Sequence, residues 1–379
     1  MTRLSLAHWW QEASSVAGEI SSQDGCLPVQ WYRFARAVLG VACDDEAFRG
    51  RFQTIFAECA CPSEVAQNLP QVRLELRTKP ELGLSLASFA EPEPLDPVAF
   101  TVRLFPERQY VEVPTGQPGW RMLAAAGNPG TPVMGFRGTQ ILVDRSHAWQ
   151  SVIAHYAVND AMRLQKDVLF FHAASVAIAD HGVLITGPKG AGKTTLSLAL
   201  AARNHGFLGD EYAAVAADSG QMLPFRRAAS IRPGPRPSQL DQYLRNHEGK
   251  LESGADGSVR VRASVAEIFP AARPRAVRLT HAFFLRQFSP RPLAEGFTPG
   301  GRHLSLLVPY LCTVWAVEPG RRAVEFLNLL ANTRCFYLDA GGSPEETAEL
   351  IEKTVEGQWD SQCGKKQSVS APTAGWKFS

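Results

Sequence analysis

Gly187-Pro188-Lys189-Gly190-Ala191-Gly192-Lys193-Thr194-Thr195 decides how this chain is read. It satisfies the pattern G-x-x-x-x-G-K-[ST] at every fixed position. Gly182-Val183-Leu184-Ile185-Thr186 before it has the apolar run of a buried strand. Leu196 to Asn204 after it reads as a helix, closed by Gly206 just past its end. A strand, a glycine loop and a helix start aim unpaired amides and the positive end of a helix dipole at an anion. Lys193 then reaches the β/γ-phosphates of a nucleoside triphosphate, and the Thr194 hydroxyl ligates Mg²⁺. Gly187, Pro188, Lys189, Gly190, Ala191, Gly192 and Thr195 complete the cradle.

Immediately upstream, Val168 to Ala179 has a strand pattern that turns at Asp180-His181-Gly182 and runs into the loop strand. That is a hairpin signal. It gives the loop strand an antiparallel neighbour, which a purely parallel nucleotide-binding sheet lacks there. Reflection about His181 sets residue 172 opposite residue 190, and a one-residue change of turn sets it opposite Lys189. Either register brings His172 beside the phosphates, where an imidazole can donate to a phosphate or move a proton. The plainer reading of His172 is a satisfied core residue.

Downstream, Phe207-Leu208 reads as a short buried strand that ends in Gly209-Asp210-Glu211. In a strand–loop–helix–strand unit both strands end at one edge, so these carboxylates face the phosphates. Asp210 suits a metal or a proton from an attacking hydroxyl. Glu211 points the other way along an extended segment. A polar turn is the alternative for both. Leu223 to Gly234 concentrates Arg226, Arg227 and Arg232 near the end of a further strand, as phosphate forks or as solvated surface charge. The glycine-rich tract 235–262 reads as a loop over the site or an insertion.

Farther out, residues 1–65 read as helical, with Trp31, Phe34, Ala35, Val38 and Leu39 at helical spacing in Val29 to Val41 and a continuation in Phe48 to Phe56. Residues 70–145 read as β-rich, from Val72-Arg73-Leu74-Glu75-Leu76 through Phe100 to Leu104 and Tyr110 to Val113, with Pro92, Pro94 and Pro97 marking a loop. Helix returns at Ala148 to Gln165. The division expected is an accessory domain over 1–145, a nucleotide domain over 146–356 and a disordered tail over 357–379. Hydrophobic content of 45% and charged content of 20% suit a globular protein, and a net charge of +2 gives no electrostatic case for nucleic acid or an anionic membrane. The apolar runs are too short for a membrane span and the start lacks a signal-peptide core, so a cytoplasmic protein with reduced thiols is expected.

As a set, three groups of residues resemble the HPr serine kinase/phosphorylase family: His172-Ala173-Ala174, the glycine loop, and Phe207-Leu208-Gly209-Asp210-Glu211 with Leu223-Pro224-Phe225-Arg226-Arg227. They are nearest its HPr-kinase-related branch, found in bacterial peptide and natural-product gene clusters. Asn332 to Leu338, followed by a helix from Pro344 to Val355, extends the likeness over about residues 140 to 355. The resemblance implies an α/β, phosphoenolpyruvate-carboxykinase-like P-loop domain with a mixed sheet, preceded here by an α+β accessory domain. It implies ATP, Mg²⁺ and phosphoryl transfer to a serine or threonine hydroxyl of a peptide or protein. Asp210 and Glu211 match the family's paired aspartates, the first accepting the serine proton, and His172 matches its histidine. Arg227 and Arg232 match basic positions. Thr194, Asp210 and Glu211 would hold the metal.

The chain departs from the family at Glu211, at Gly209 where serine or alanine is usual, and at Thr195 where authentic HPr kinases carry an acidic residue. The E-[IL]-R-G-[LV]-G signature is not found. These departures argue against HPr itself as acceptor and against phosphorolysis. The rival readings are an ATP-binding regulatory or scaffold subunit without transfer, and a small-metabolite kinase. Homo-oligomerisation is left open.

Overall fold

The computed structural model describes residues 27–43, 45–76, 101–105, 108–113, 120–125, 128–137, 140–143, 149–232, 240–246, 252–253, 259–299 and 319–357. The expected proline loop at 92–97 and nearly all of the expected tail lie outside the described residues, as does the chain before residue 27. The described chain is a mixed α/β protein with three sheets.

The first sheet takes β1 (Gln30–Phe34), β2 (Ala37–Cys43), β3 (Ala60–Cys61), β4 (Gln71–Leu76), β5 (Thr101–Phe105), β6 (Arg108–Val113), β7 (Trp120–Ala125), β8 (Asn128–Arg137) and β9 (Gln140–Val143). Its order is β3-β1-β2-β4-β9-β8-β7-β6-β5, and β4 runs parallel to both β2 and β9. Helix α1 (Glu46–Phe56) is capped by the Asp45 carboxylate, which accepts from the Phe48 amide, and it buries Phe48, Phe52 and Phe56 one turn apart. α2 (Ser63–Ala66) is a single turn.

The helix expected over Val29 to Val41 is instead the β1–β2 hairpin. All seven residues of β2 are buried, and a short, fully buried apolar run offers no periodicity that separates helix from strand. Turn residue Ala35 adopts φ 54°.

The second sheet carries the glycine loop. Before it comes α3 (Trp149–Arg163), where a helix was expected. The sheet is built from β10 (Val168–Phe171), β11 (Ala173–Ile178), β12 (His181–Thr186), β13 (Gly206–Gly209), β14 (Ala213–Ala216), β15 (Gln221–Leu223), β19 (Val277–Ser289), β20 (Leu293–Phe297) and β21 (Arg334–Gly341). Its main path is β10-β14-β15-β19-β12-β11-β13. β11 is antiparallel to both β12 and β13, so those two run parallel and end at one edge. β12 is parallel to β19 on its other side, so the sheet is mixed.

The hairpin is present, but its turn is Ala179-Asp180, with Ile178 opposite His181. That register carries position 172 toward residue 187 rather than 189 or 190. Ala179 accepts a left-handed φ of 47°, which makes the two-residue turn possible. The expected single strand over 168–179 is also interrupted: His172 stands between β10 and β11.

After the loop, α4 (Lys193–Ala202) packs Leu196, Ala199 and Leu200 into a core shared with Ile185, Phe283, Leu338 and Ile351. Its chain reversal falls at Asn204 (φ 65°), not at Gly206. Gly206 already belongs to β13, where a Cβ would sit 2.8 Å from the Arg273 carbonyl oxygen. α8 (Pro344–Val355) follows β21 with a Ser343/Glu346 capping box, and its Glu352 pairs with Arg203 and His205 beyond α4.

A small third sheet, ordered β16 (Ala229–Ile231), β18 (Val259–Ala263), β17 (Glu252–Ser253), takes up part of the tract expected to be a loop or insertion. α5 (Leu240–Asn246), α6 (Val265–Ile268) and α7 (Pro319–Ala331) complete the helices. Residues 27–76 do not form a core of their own. Phe34, Phe48, Phe52 and Phe56 share one with Ala157, Ala161 and Met162 of α3 and with Phe225. Gln165, buried at the end of α3, donates to the Phe34 carbonyl at 2.9 Å and accepts from the Arg36 amide at 2.8 Å, which pins the β1–β2 turn. Among the described residues no helix is long and apolar enough to cross a membrane.

Candidate active site

The loop leaves β12 at Thr186 and enters α4 at Lys193, over the shared edge of β12 and β13. Gly192 is the residue before the helix and takes φ 100°, a left-handed backbone that a side chain would strain. Among the described residues no side chain caps α4, so its first amides stay available to an anion. Lys189 and Gly190 form the exposed rim, while Pro188, Ala191, Thr194 and Thr195 are half-buried. The Lys193 ammonium is buried and donates to the carbonyls of Gly187 at 2.7 Å and Pro188 at 3.2 Å. Burial lowers its pKa, against the pull of Glu211 and Asp210.

Asp210 lies just past the end of β13 and is 3% exposed. The Thr194 hydroxyl donates to its Oδ2 at 3.1 Å, which joins the first turn of the loop helix to the end of the neighbouring strand. Burial, with the Glu211 charge behind it, pushes the Asp210 pKa up to about 6 against Arg227, the Thr194 hydrogen bond and Arg262. Its Oδ1 is buried without a hydrogen-bond partner. Such an oxygen is costly unless something else satisfies it.

The Glu211 carboxylate Oε1 is 3.9 Å from His172 Nδ1, an ion-pair separation with both side chains partly exposed. Burial raises the Glu211 pKa, but Arg227, His172, Lys193 and Arg262 outweigh it and hold the group below the usual range. His172 is lowered, first by burial and then by Lys193 and Arg227, against the pull of Glu211. His172, Lys193, Thr194, Asp210, Glu211 and Arg227 are thus brought together beside the loop.

Neighbouring arginines part company on the coil between β15 and β16. The charges of both carboxylates raise the Arg227 pKa against burial. Arg226 turns to the other side and pairs with Glu58 Oε2 at 2.7 Å. Arg232 is exposed and at the far end of β16. Arg262 of β18, which lies opposite Ser230, acts on Asp210 and Glu211 as Arg227 does. The sequence reading did not single out Arg262. The alternation Val259-Arg260-Val261-Arg262-Ala263 was the one local signal that this tract is a strand.

Gly209 also has a local cause. A Cβ there would lie 2.7 Å from the carbonyl oxygens of both Phe225 and Tyr212. The Phe225 amide bonds to the Leu208 carbonyl at 2.8 Å, so the arginine-bearing coil is drawn against β13 more tightly than any side chain permits.

The donor set fits Mg²⁺ of the nucleotide-bound kind. The unsatisfied, buried Asp210 oxygen beside the Thr194 hydroxyl is suited to a hard cation. Among the described residues no three or more His, Cys, Asp or Glu side chains cluster as a metal site. Phosphate oxygens and water would therefore supply the remaining ligands, as is usual for Mg²⁺.

No family model matches the chain, and no curated protein matches it. Among solved structures, the HPr(Ser) kinase/phosphatase of Coxiella burnetii is similar at 17% identity, over 50% of this chain and 89% of that chain, with a TM-score of 0.26. A likeness at that TM-score carries no argument about activity.

Proposed function

We propose that this chain is an ATP-dependent phosphotransferase of the HPr-kinase-related type that moves the γ-phosphate to a serine or threonine hydroxyl of a peptide or protein. One observation carries the reading: the buried Asp210 carboxylate accepts from the Thr194 hydroxyl at 3.1 Å, next to the lysine of a complete phosphate loop. In this reading the second sheet is the phosphoenolpyruvate-carboxykinase-like nucleotide fold, and the antiparallel β11 between β12 and β13 supports it.

The loop amides and the N-terminus of α4 hold the β- and γ-phosphates, and Lys193 exchanges its carbonyl partners for phosphate oxygens. Thr194 and Asp210 would hold Mg²⁺, which would supply positive charge against the phosphates. Asp210, next to the lysine of the loop, takes the proton of the acceptor hydroxyl as its oxygen bonds to the γ-phosphorus and ADP leaves. Glu211 and His172, at the open side of the pocket, orient the hydroxyl. Arg227 and Arg262 balance charge on the group in flight.

Incubation with γ-labelled ATP tests the reading, with peptide, protein and metabolite pools offered separately. Label in phosphoserine or phosphothreonine supports it. Label only among metabolites makes the protein a small-molecule kinase, and ATP binding with no transfer to any pool makes it a nucleotide-binding subunit.

A further inference from the structure

The two arginines whose charges act on the acidic pair, Arg227 and Arg262, sit on the coil after β15 and on β18 of the third sheet. Both segments meet one side chain from far away in the chain. Glu58, in the 3₁₀ turn Ala57–Cys59 after α1, has a side chain only 11% exposed and uses both of its oxygens. Oε2 pairs with Arg226 at 2.7 Å, one residue before Arg227. Oε1 accepts from the Ser264 hydroxyl at 2.6 Å and the Ala266 amide at 3.1 Å, just past Arg262.

Three further contacts fix the same join. The Cys59 thiol donates to the Arg226 carbonyl at 3.1 Å, the Ala228 amide donates to the Ile55 carbonyl at 2.7 Å, and Phe34 stacks on Phe225 with centroids 5.1 Å apart. The residues flanking Arg227 are therefore held by the amino-terminal layer on both sides.

We infer that Glu58 is a positioning residue for the transfer site, a carboxylate that ties the Arg226–Arg227 and Arg262–Ser264 segments together so that both arginines face Asp210 and Glu211. The inference rests on the kinase reading for its catalytic consequence and on the contacts alone for the tie. It makes the turn after α1 part of the frame of the transfer site.

The test compares wild type, Glu58→Gln, the milder Ser264→Ala, and Phe52→Leu, which loosens the same aromatic core without touching Glu58. Glutamine keeps an acceptor for Ser264 and Ala266 but turns an amide donor toward Arg226. In Glu58→Gln the amides of 225–228 and 260–264 exchange with solvent at least about tenfold faster, while those of α4 are unchanged. A misplacement of this kind lowers kcat by about tenfold or more, with the KM for ATP within about twofold of wild type. Ser264→Ala gives the same pattern at smaller amplitude. Phe52→Leu lowers the melting temperature and leaves kcat unchanged.

Unchanged exchange in folded Glu58→Gln and Ser264→Ala overturns the tie, whatever the enzyme does. Faster exchange with an unchanged kcat overturns the positioning role. A wild type that transfers no phosphate sinks the kinase reading instead, and the exchange comparison still decides whether the tie exists.

Discussion

Replacing Asp210 with asparagine should stabilise the protein above neutral pH while stopping transfer. Folding carries the carboxyl from an ordinary pKa of 3.8 to about 6, because burial and the Glu211 charge disfavour its ionised form. The folded state therefore binds the proton more tightly than the unfolded one, and stability falls as pH rises from about 4 through about 6. At about 1.4 kcal/mol per pH unit, the full difference amounts to roughly 3 kcal/mol above that window. An asparagine oxygen still accepts from Thr194, but its amide faces Arg227 and Arg262, so the net gain at pH 8 is about 1–3 kcal/mol. That corresponds to a melting temperature higher by about 2–6 °C for a chain of this size, shrinking to nothing near pH 4. Thermal unfolding of both proteins between pH 4 and 8, without nucleotide, reads it directly. An asparagine variant that is less stable at pH 8, or whose difference from wild type does not change with pH, refutes the claim that a costly buried charge sits in this pocket.

Other outcomes are expected from the same geometry. Lys193→Ala removes a charged donor to phosphate and weakens ATP binding by about 10- to 100-fold in calorimetric titration, with little change in fold. Gly209→Ala drives a methyl group to within 2.7 Å of two carbonyl oxygens, so urea denaturation should show a loss of about 1–3 kcal/mol or more. Phe225→Ala empties a fully buried position that joins the amino-terminal layer to the arginine coil, at a cost of about 3–5 kcal/mol by the same assay. Removing divalent cations with a chelator should leave the melting temperature of the nucleotide-free protein unchanged and abolish the extra stability that ATP confers, read by thermal shift.

The parts of the site legible in the sequence were those written locally. The glycine loop, its flanking strand and helix, and the acidic pair at a strand end all lie within residues 182 to 211, where motif spacing and chain direction determine the geometry. The hairpin was visible too, but its register was misjudged, because Ala179 adopts a left-handed turn that alanine rarely signals. Val29 to Val41 was misread for a related reason: Ala37 to Cys43 is buried on both faces, so its apolar residues carry no periodicity. Arg262 and Glu58 were hidden altogether. Their roles depend on contacts such as Ser264 to Glu58, between residues 206 apart in the chain, which no local pattern encodes. Gly209 stood out as a departure, and its cause, two carbonyls crowding one Cα, appears only once the coil at 225 is placed.

The decisive experiment tracks the γ-phosphate itself. Wild type and Asp210→Asn, each shown by calorimetry to bind ATP with Mg²⁺, are given labelled ATP and a fractionated extract as acceptor. Wild type should deposit label on serine or threonine, and the variant should bind the nucleotide yet transfer at least about a hundredfold more slowly. Equal labelling by the two proteins, or none by a wild type that binds ATP well, would mean the buried carboxylate beside the phosphate loop does not perform the chemistry assigned to it.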